Sequence, residues 1–260
     1  MRLIVLAAGL GSRLAPLTDD RPKCLVDLGG RPLLRWTLSA AAACGIGEVV
    51  AVGGYRAQQL RDYDVTLVEN PDYATTNMVH SLLAARDFFG DGFIMSYGDI
   101  AYAPGVLRRL LAAPPGVAVT VDRGWLDYWR RRFDDPLSDA ETLRFAPGGG
   151  LAEIGAKPRS LAEIEAQYIG LVSFKGPGVA ALLRALERAQ ADRAAGRNPF
   201  GGPRPYEKMY MTDLLQGMIG LGERLDPVVI DGQWVEIDSR RDLAVAEDLL
   251  KAGRMAERED

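Results

Sequence analysis

The chain has 260 residues, enough for one large domain or two small ones and for a substantial buried core. Its 31 Lys and Arg against 35 Asp and Glu leave a formal charge of −4, which argues against a general nucleic-acid binder but allows a local cationic pocket. Cys24 and Cys44 are too few for a disulfide framework or a thiolate metal cluster, and no apolar run approaches the ~18 residues of a membrane span. A protein of the reducing cytoplasm, with neither membrane nor nucleic acid as partner, is therefore expected.

The chain opens on an apolar strand, Leu3-Ile4-Val5-Leu6-Ala7, which runs into the small-residue loop Ala8-Gly9-Leu10-Gly11-Ser12 and then Arg13 and Lys23. A helix is expected over 31–43, with Pro32 in its first turn and Gly45 just past its end. Strands follow at 48–53, 64–69, 91–97 and 117–121, separated by helices at 55–61, 75–88 and 104–112. This alternation predicts βαβ units and an α/β fold with a mostly parallel central sheet. The pattern changes near Asp122. Residues 123–136 are crowded with Trp125, Tyr128 and Trp129 and with Arg123, Arg130, Arg131 and Arg132. Strand-like stretches at 151–155 and 167–174 flank Lys157-Pro158, and 122–175 is expected to cover the ligand edge of the sheet. A long helix at 177–195, a Gly- and Pro-rich loop at 198–205, a helix at 211–221, strands at 227–230 and 234–237 and a closing helix at 239–251 complete the chain. Ser239 and Asp242 fit a capping-box variant, and 254–260 is a charged end expected to fray.

The opening loop carries the chemistry. Glycines let a backbone approach a ligand closely, successive backbone N–H groups can hold phosphate oxygens, and Arg13 and Lys23 add full positive charges. Gly9-Leu10-Gly11 alone is equally a tight turn. It fails the dinucleotide fingerprint, whose third glycine falls at Leu14, and it lacks the Gly-Lys-Ser/Thr of a Walker loop. Read whole, Leu6-Ala7-Ala8-Gly9-Leu10-Gly11-Ser12-Arg13-Leu14 followed by Pro22-Lys23-Cys24-Leu25-Val26 resembles the signature of the nucleotidyltransferases that activate sugar phosphates and small phosphorylated alcohols. The likeness extends to about Leu250 through Gly98-Asp99, Lys157-Pro158, Gln167-Tyr168-Ile169-Gly170 and Glu236-Ile237-Asp238.

That resemblance implies a Rossmann-like three-layer sandwich with a mixed, mostly parallel central sheet and an inserted acceptor-binding lobe. The chain then divides into a nucleotide-binding core (1–121), an acceptor insert (122–175), and closing helices with a second metal-ligand strand (176–252), all one domain, with 253–260 as a tail. Arg13 and Lys23 would neutralise the triphosphate, and Asp99 and Asp238 would hold Mg²⁺ as the metal-binding pair. Leu6, Ala7, Ala8, Gly9, Gly11, Ser12 and Gly98 would surround the nucleotide, with Thr76, Asn77 and Ser81 offering donors and acceptors to a pyrimidine edge; Thr76 or Asn77 is equally a helix cap. Lys157 matches a lysine that holds the acceptor phosphate, Gln167 and Tyr168 begin the strand beneath it, and Trp129, Tyr210, Trp234 and Glu236 would complete the acceptor site, with Glu236 close to the metal.

The 123–145 segment looks unlike the sugar enzymes. With Tyr210 and Trp234 it is similar to the CTP-using branch that acts on phosphocholine, phosphonates or a phosphorylated amino-acid amide. Trp129 stands in a segment whose aromatic rings would hold an ammonium and whose arginines would hold an extra carboxylate or phosphonate. The expectation is a cytidylyltransferase that moves CMP from CTP to such an acceptor with release of pyrophosphate. The alternatives are a sugar-1-phosphate nucleotidyltransferase using UTP, dTTP or GTP, and a catalytically inactive nucleotide sensor. A dehydrogenase is disfavoured, because Gly53-Gly54 ends the second strand where an acidic residue is needed.

Overall fold

Leu3, Ile4 and Val5 have no exposed surface, so the first strand is covered on both faces, as in the middle of a parallel sheet. The computed structural model describes residues 1–255. In chain order, β1 (Arg2–Ala7) leads through the loop to the small ribbon β2 (Asp27–Leu28) and β3 (Arg31–Pro32), then α1 (Leu33–Ala43), β4 (Val49–Gly53), β5 (Thr66–Glu69) and α2 (Met78–Ala84). Next come β6 (Gly92–Tyr97), β7 (Ile100–Tyr102), α3 (Pro104–Ala112), β8 (Gly116–Asp122), α4 (Trp125–Arg132), β9 (Leu143–Phe145) and β10 (Leu151–Ile154). The chain continues with β11 (Gln167–Lys175), α5 (Pro177–Ala194), α6 (Met211–Gly220), β12 (Leu225–Ile230), β13 (Trp234–Glu236) and α7 (Arg240–Lys251).

The main sheet has seven strands in the order β12-β8-β11-β6-β1-β4-β5. β11 alone runs antiparallel to its neighbours β6 and β8; the other pairs are parallel. Side chains alternate across β1, which separates two cores. Leu3 and Val5 pack with residues of α1, α3, α4 and α7 such as Leu34, Leu107, Trp125 and Ala246. Ile4 and Leu6 face the opposite layer of α2, α5 and α6, including Leu82, Leu182 and Leu215. The result is a three-layer α/β sandwich.

Several boundaries differ from the sequence expectation. The helix expected over 75–88 begins at Met78, with Asn77 as its N-cap, and ends in a separate 3-10 turn at Arg86–Phe88. The helix expected at 55–61 is a 3-10 stretch, Ala57–Asp62. Within 122–175, α4 and the β9–β10 hairpin lie outside the main sheet, whereas β11 is one of its inner strands. Of the charged end, Met255 is buried against the α1-side core, and 256–260 lie outside the described residues. Ser239 and Asp242 do form the reciprocal capping box of α7.

Two features bring distant segments to one edge. Because β11 is antiparallel, its first residue Gln167 pairs with Asp122, the last residue of β8. The short β13 pairs with β7 instead of joining the main sheet, and Ile237 N donates to Asp99 O at 3.0 Å. Gly98 lets the end of β6 close on β1: a Cβ there would stand 2.8 Å from Leu6 O and 3.1 Å from Ala7 Cα.

On the α4 side the sandwich is sealed by aromatic rings. Trp129 meets Trp125 and Tyr128 edge-on at 5.8 and 5.7 Å between centroids, and Trp234 meets Tyr128 at 5.5 Å. Such edge-to-face pairs add to the apolar area that the rings already bury. Trp129→Ala is therefore expected to lower unfolding stability by about 3–5 kcal/mol, seen as a fall in the urea midpoint at an unchanged slope.

Candidate active site

At the carboxyl ends of β1 and β6 lies a cavity of about 300 Å³, at the lower end of the range for small-molecule sites. Leu6, Ala7, Ala8, Gly9, Gly11, Ser12 and Arg13 approach it from the first strand and its loop. Thr76, Asn77 and Ser81 line it from the start of α2, and Gly98, Asp99, Lys23 and Asp238 complete it. The residues expected from the sequence around a nucleotide and its metal are thus brought together in one place. Tyr73, Met78 and Tyr97, which sequence reasoning missed, line it too.

Local chemistry explains the loop. Gly11 has φ +65, and a Cβ there would meet Thr18 Cγ2 at 3.0 Å and Lys23 Cβ at 3.1 Å. Thr18 Oγ1 donates to Gly11 O at 2.9 Å, which ties the loop to the segment leading to Lys23. On the other wall the buried Asn70 donates through Nδ2 to Thr76 Oγ1 and to Ser81 Oγ, both at 3.1 Å. Asn70 therefore sets the direction of two hydroxyls at the cavity, a role that only the fold reveals. Asn77 accepts from Met78 N at 3.1 Å, so it caps α2 and lines the cavity at once.

Lys23 is the hub of the charges. Its Nζ donates to Asp99 Oδ2 at 2.7 Å and makes a second, short contact with Asp238 Oδ1. Burial by itself would depress the Lys23 ammonium, but the two carboxylates outweigh it and hold the group protonated. Burial would likewise raise Asp238, yet Lys23, Arg13 and Arg132 keep it below the usual carboxylate range. Arg13 Nη2 lies 3.1 Å from Asp238 Oδ2, with its own side chain largely exposed toward solvent.

Arg132, the last residue of α4, ties this hub to the rest of the fold. Its side chain has no exposed surface. Nη1 donates to Glu236 Oε2 at 2.7 Å, Nε donates to Asp242 Oδ1 at 2.8 Å, and Nη2 approaches Asp238 Oδ2 at 3.9 Å. Asp242 Oδ2 in turn accepts from Asp238 N at 3.0 Å and Ser239 N at 2.8 Å. Glu236 is pushed above its ordinary range by burial despite Arg132. The arginine-rich segment was visible in the sequence; that Arg132 of its arginines turns inward was not.

The residues expected to hold an acceptor are more scattered, and none of them lines the 300 Å³ cavity. Trp129 and Trp234 are 4% and 3% exposed, and Trp234 Nε1 donates to Asp122 Oδ2 at 2.8 Å. They pack α4 against β13; Trp129 is enclosed by Trp125, Tyr128 and Trp234, while Trp234 borders, with Tyr128, Asp127 and Arg131, a recess of about 190 Å³ separate from the nucleotide cavity. Lys157 donates to the carbonyls of Leu137 and Ser138, the latter at 2.9 Å, so it holds backbone. Gln167 clasps Glu141: its Nε2 donates to Glu141 O at 2.5 Å and its Oε1 accepts from Glu141 N at 3.2 Å. The Tyr168 ring meets Tyr97 edge-on at 5.8 Å. Tyr210 lies beneath the Arg204 guanidinium at 3.9 Å, and Arg204 bonds Asp213 at 2.7 Å. Arg204, Asp213 and Lys157 border a second recess of about 620 Å³. Glu236 is turned to Arg132.

Comparison with known proteins places the chain. The model of the MobA-like NTP transferase domain matches residues 3–198. The chain belongs to this family. Along 256 residues, covering 94% of this chain and 98% of the other, it is 38% identical to the CTP:phosphoglutamine cytidylyltransferase of Campylobacter jejuni. It is 40% identical over 131 residues to the CMP-5'-(3-aminopropyl)phosphonate synthase of Streptomyces rubellomurinus, a match spanning 47% of this chain and 21% of that protein. The solved CTP:phosphocholine cytidylyltransferase of Streptococcus pneumoniae shares the fold, with a TM-score of 0.71 at 20% identity over 96% of this chain and 98% of that one.

In this MobA-like NTP transferase the donor set at the hub suits a hard divalent cation. Asp99 Oδ1 is buried without a hydrogen-bond partner, while Oδ2 is taken by Lys23. Mg²⁺ needs only one or two carboxylates when substrate phosphates and water supply the rest. Among the described residues no group of three or more His, Cys, Asp or Glu is suited to an all-protein metal cage. The described helices include none long and apolar enough to cross a membrane.

Removing the buried guanidinium leaves Glu236 and Asp242 without their shared cation. Arg132→Met is expected to cost about 3–5 kcal/mol of unfolding free energy, as when one partner of a buried pair is deleted. Equilibrium denaturation measures it, and a change below about 1 kcal/mol, the range of surface pairs, would contradict this role.

Proposed function

We propose that this MobA-like NTP transferase is a Mg²⁺-dependent cytidylyltransferase. It moves CMP from CTP to a small phosphorylated or phosphonate metabolite of the phosphoglutamine, aminoethylphosphonate or phosphocholine type and releases pyrophosphate. The observation that carries this assignment is the near full-length similarity, 38% identity, to a CTP:phosphoglutamine cytidylyltransferase. The cavity supplies the physical support, since cations and a carboxylate pair meet at a small-residue loop.

In this proposal the acceptor's own phosphate or phosphonate oxygen attacks the α-phosphorus of CTP. A new P–O bond forms, the bond from the α-phosphorus to the bridging oxygen breaks, and pyrophosphate leaves with the electron pair. Arg13 and Lys23 neutralise charge that grows on the phosphoryl oxygens and the leaving group, and so favour the transition state over the ground state. The loop of Ala8 to Ser12 brings backbone N–H groups to the triphosphate. Thr76, Asn77 and Ser81 face the base, with the first and last oriented by Asn70. Asp99 and Asp238 would hold Mg²⁺, which neutralises triphosphate oxygens when bound. Positioning and charge neutralisation supply the rate, and no covalent enzyme intermediate is needed.

Pyrophosphate release measured with each of CTP, UTP, dTTP and GTP against phosphoglutamine, 2-aminoethylphosphonate, phosphocholine and hexose 1-phosphates tests the assignment. Turnover with CTP and a nitrogen-bearing acceptor is expected. Turnover confined to other nucleotides and hexose 1-phosphates would replace it with sugar activation, and CTP binding without turnover on any acceptor would point to a sensor. Arg13→Ala should lower kcat by about 10²–10³-fold, the usual effect of removing one transition-state donor, with the acceptor KM little changed. Chelation of Mg²⁺ should abolish wild-type turnover, with recovery on adding Mg²⁺ back, and Asp99→Asn should not recover; full Asp99→Asn activity at saturating Mg²⁺ would remove Asp99 from the metal site.

A further inference from the structure

Around this edge of the sheet the carboxylates are answered by cations almost one for one. Lys23 takes Asp99 and Asp238, Arg13 takes Asp238, Arg132 takes Glu236 and Asp242, and Arg204 takes Asp213 at 2.7 Å. Glu141 is an exception. Among the described residues it has no ion pair, and its side-chain contact is Thr212 Oγ1 at 3.4 Å from Oε1, long for an O–H···O bond. Asp139, two residues earlier, at least lies in the field of Arg13 and Arg132. The cation nearest in effect to Glu141 is Arg204, which is already bonded to Asp213.

This carboxyl is also held in place. Gln167 grips the Glu141 backbone from both sides, and Lys157 fixes the carbonyls of Leu137 and Ser138 just before it. Glu141 acts electrostatically on Tyr97 and Tyr168, the pair whose other charged neighbour is Asp99, and Tyr97 lines the nucleotide cavity. Gln167 and Tyr168 open β11, so Glu141, gripped by Gln167, is held next to the strand whose Tyr168 ring meets Tyr97 at 5.8 Å. Burial lifts the Glu141 carboxyl to about 7, so a partner that donates hydrogens would be rewarded by restoring its charge. Rigid support and an unanswered acceptor atom are what a recognition residue needs.

We propose that Glu141 determines acceptor specificity, its carboxylate accepting a hydrogen bond from a primary ammonium group on the phosphorylated or phosphonate acceptor. Lys157 and Gln167 are positioning residues for it. A quaternary ammonium has no N–H to give, so the site discriminates against it. This deepens the cytidylyltransferase assignment above and rests on it.

The test compares wild type with Glu141→Gln and Glu141→Ala, using phosphoglutamine, 2-aminoethylphosphonate and phosphocholine with CTP. Calorimetric binding of 2-aminoethylphosphonate in the presence of a non-reactive CTP analogue runs in parallel. Wild type should favour the two primary-amine acceptors in kcat/KM. Both variants should raise the KM for these acceptors roughly 10- to 100-fold, the loss of one hydrogen bond to a charged group, and the preference over phosphocholine should collapse while the KM for CTP moves little. Equal affinity of wild type and variants for 2-aminoethylphosphonate, no binding of it by wild type, or an unchanged preference ratio would overturn the role of Glu141. Weakened binding in the variants with no wild-type turnover on CTP would leave Glu141 standing and overturn the assigned reaction.

Discussion

Lys23 places one ammonium between carboxylates that reach it from distant parts of the chain, and the site is arranged around that contact. Asp99 follows β6, and Asp238 follows β13. Two carboxylates drawn to one point repel each other, and the cation between them offsets that repulsion. With Lys23 present, Asp238 is held below its ordinary range and the ammonium stays charged. The consequence is a buried point where charge is fixed before any ligand arrives, which is the preorganisation that phosphoryl chemistry rewards.

Each neighbouring feature of the fold serves this point. The bare Cα of Gly98 lets β6 end against β1, so that Asp99 emerges beside the loop. The β7–β13 pair carries Asp238 to the same edge. Arg132 links the aromatic α4 to Glu236 and Asp242, so the segment covering the sheet is bonded to the carboxylate strand and not merely packed on it. Changes at the cover would therefore be felt at the hub through one guanidinium.

Much of this was legible in the sequence. The alternation of apolar strands with helices, the small-residue loop with Arg13 and Lys23, and carboxylates at strand ends are local signals, and they survive into the fold. What was not legible depends on long-range pairing. Nothing local to 167–175 says that β11 inserts antiparallel between β6 and β8, or that β13 leaves the main sheet for β7. The aromatic segment was ambiguous for a similar reason: a run of Trp, Tyr and Arg is as suited to a ligand pocket as to a core, and only the packing buries Trp129 and Trp234 and turns Arg132 to Glu236 and Asp242. Asn70 and Glu141 fall inside stretches notable in the sequence, but what each side chain does depends on partners 6 to 71 residues away.

On the proposed function, the point held by Lys23, Asp99 and Asp238 is where a metal–triphosphate is received. A crystal structure with CTP and Mn²⁺, read by anomalous scattering, tests it most directly. A manganese peak shared by Asp99 and Asp238 is expected, with the triphosphate along Ala8 to Arg13 and the Lys23 ammonium drawn onto phosphate oxygen. A triphosphate bound elsewhere, or bound there while manganese avoids both aspartates, would contradict it.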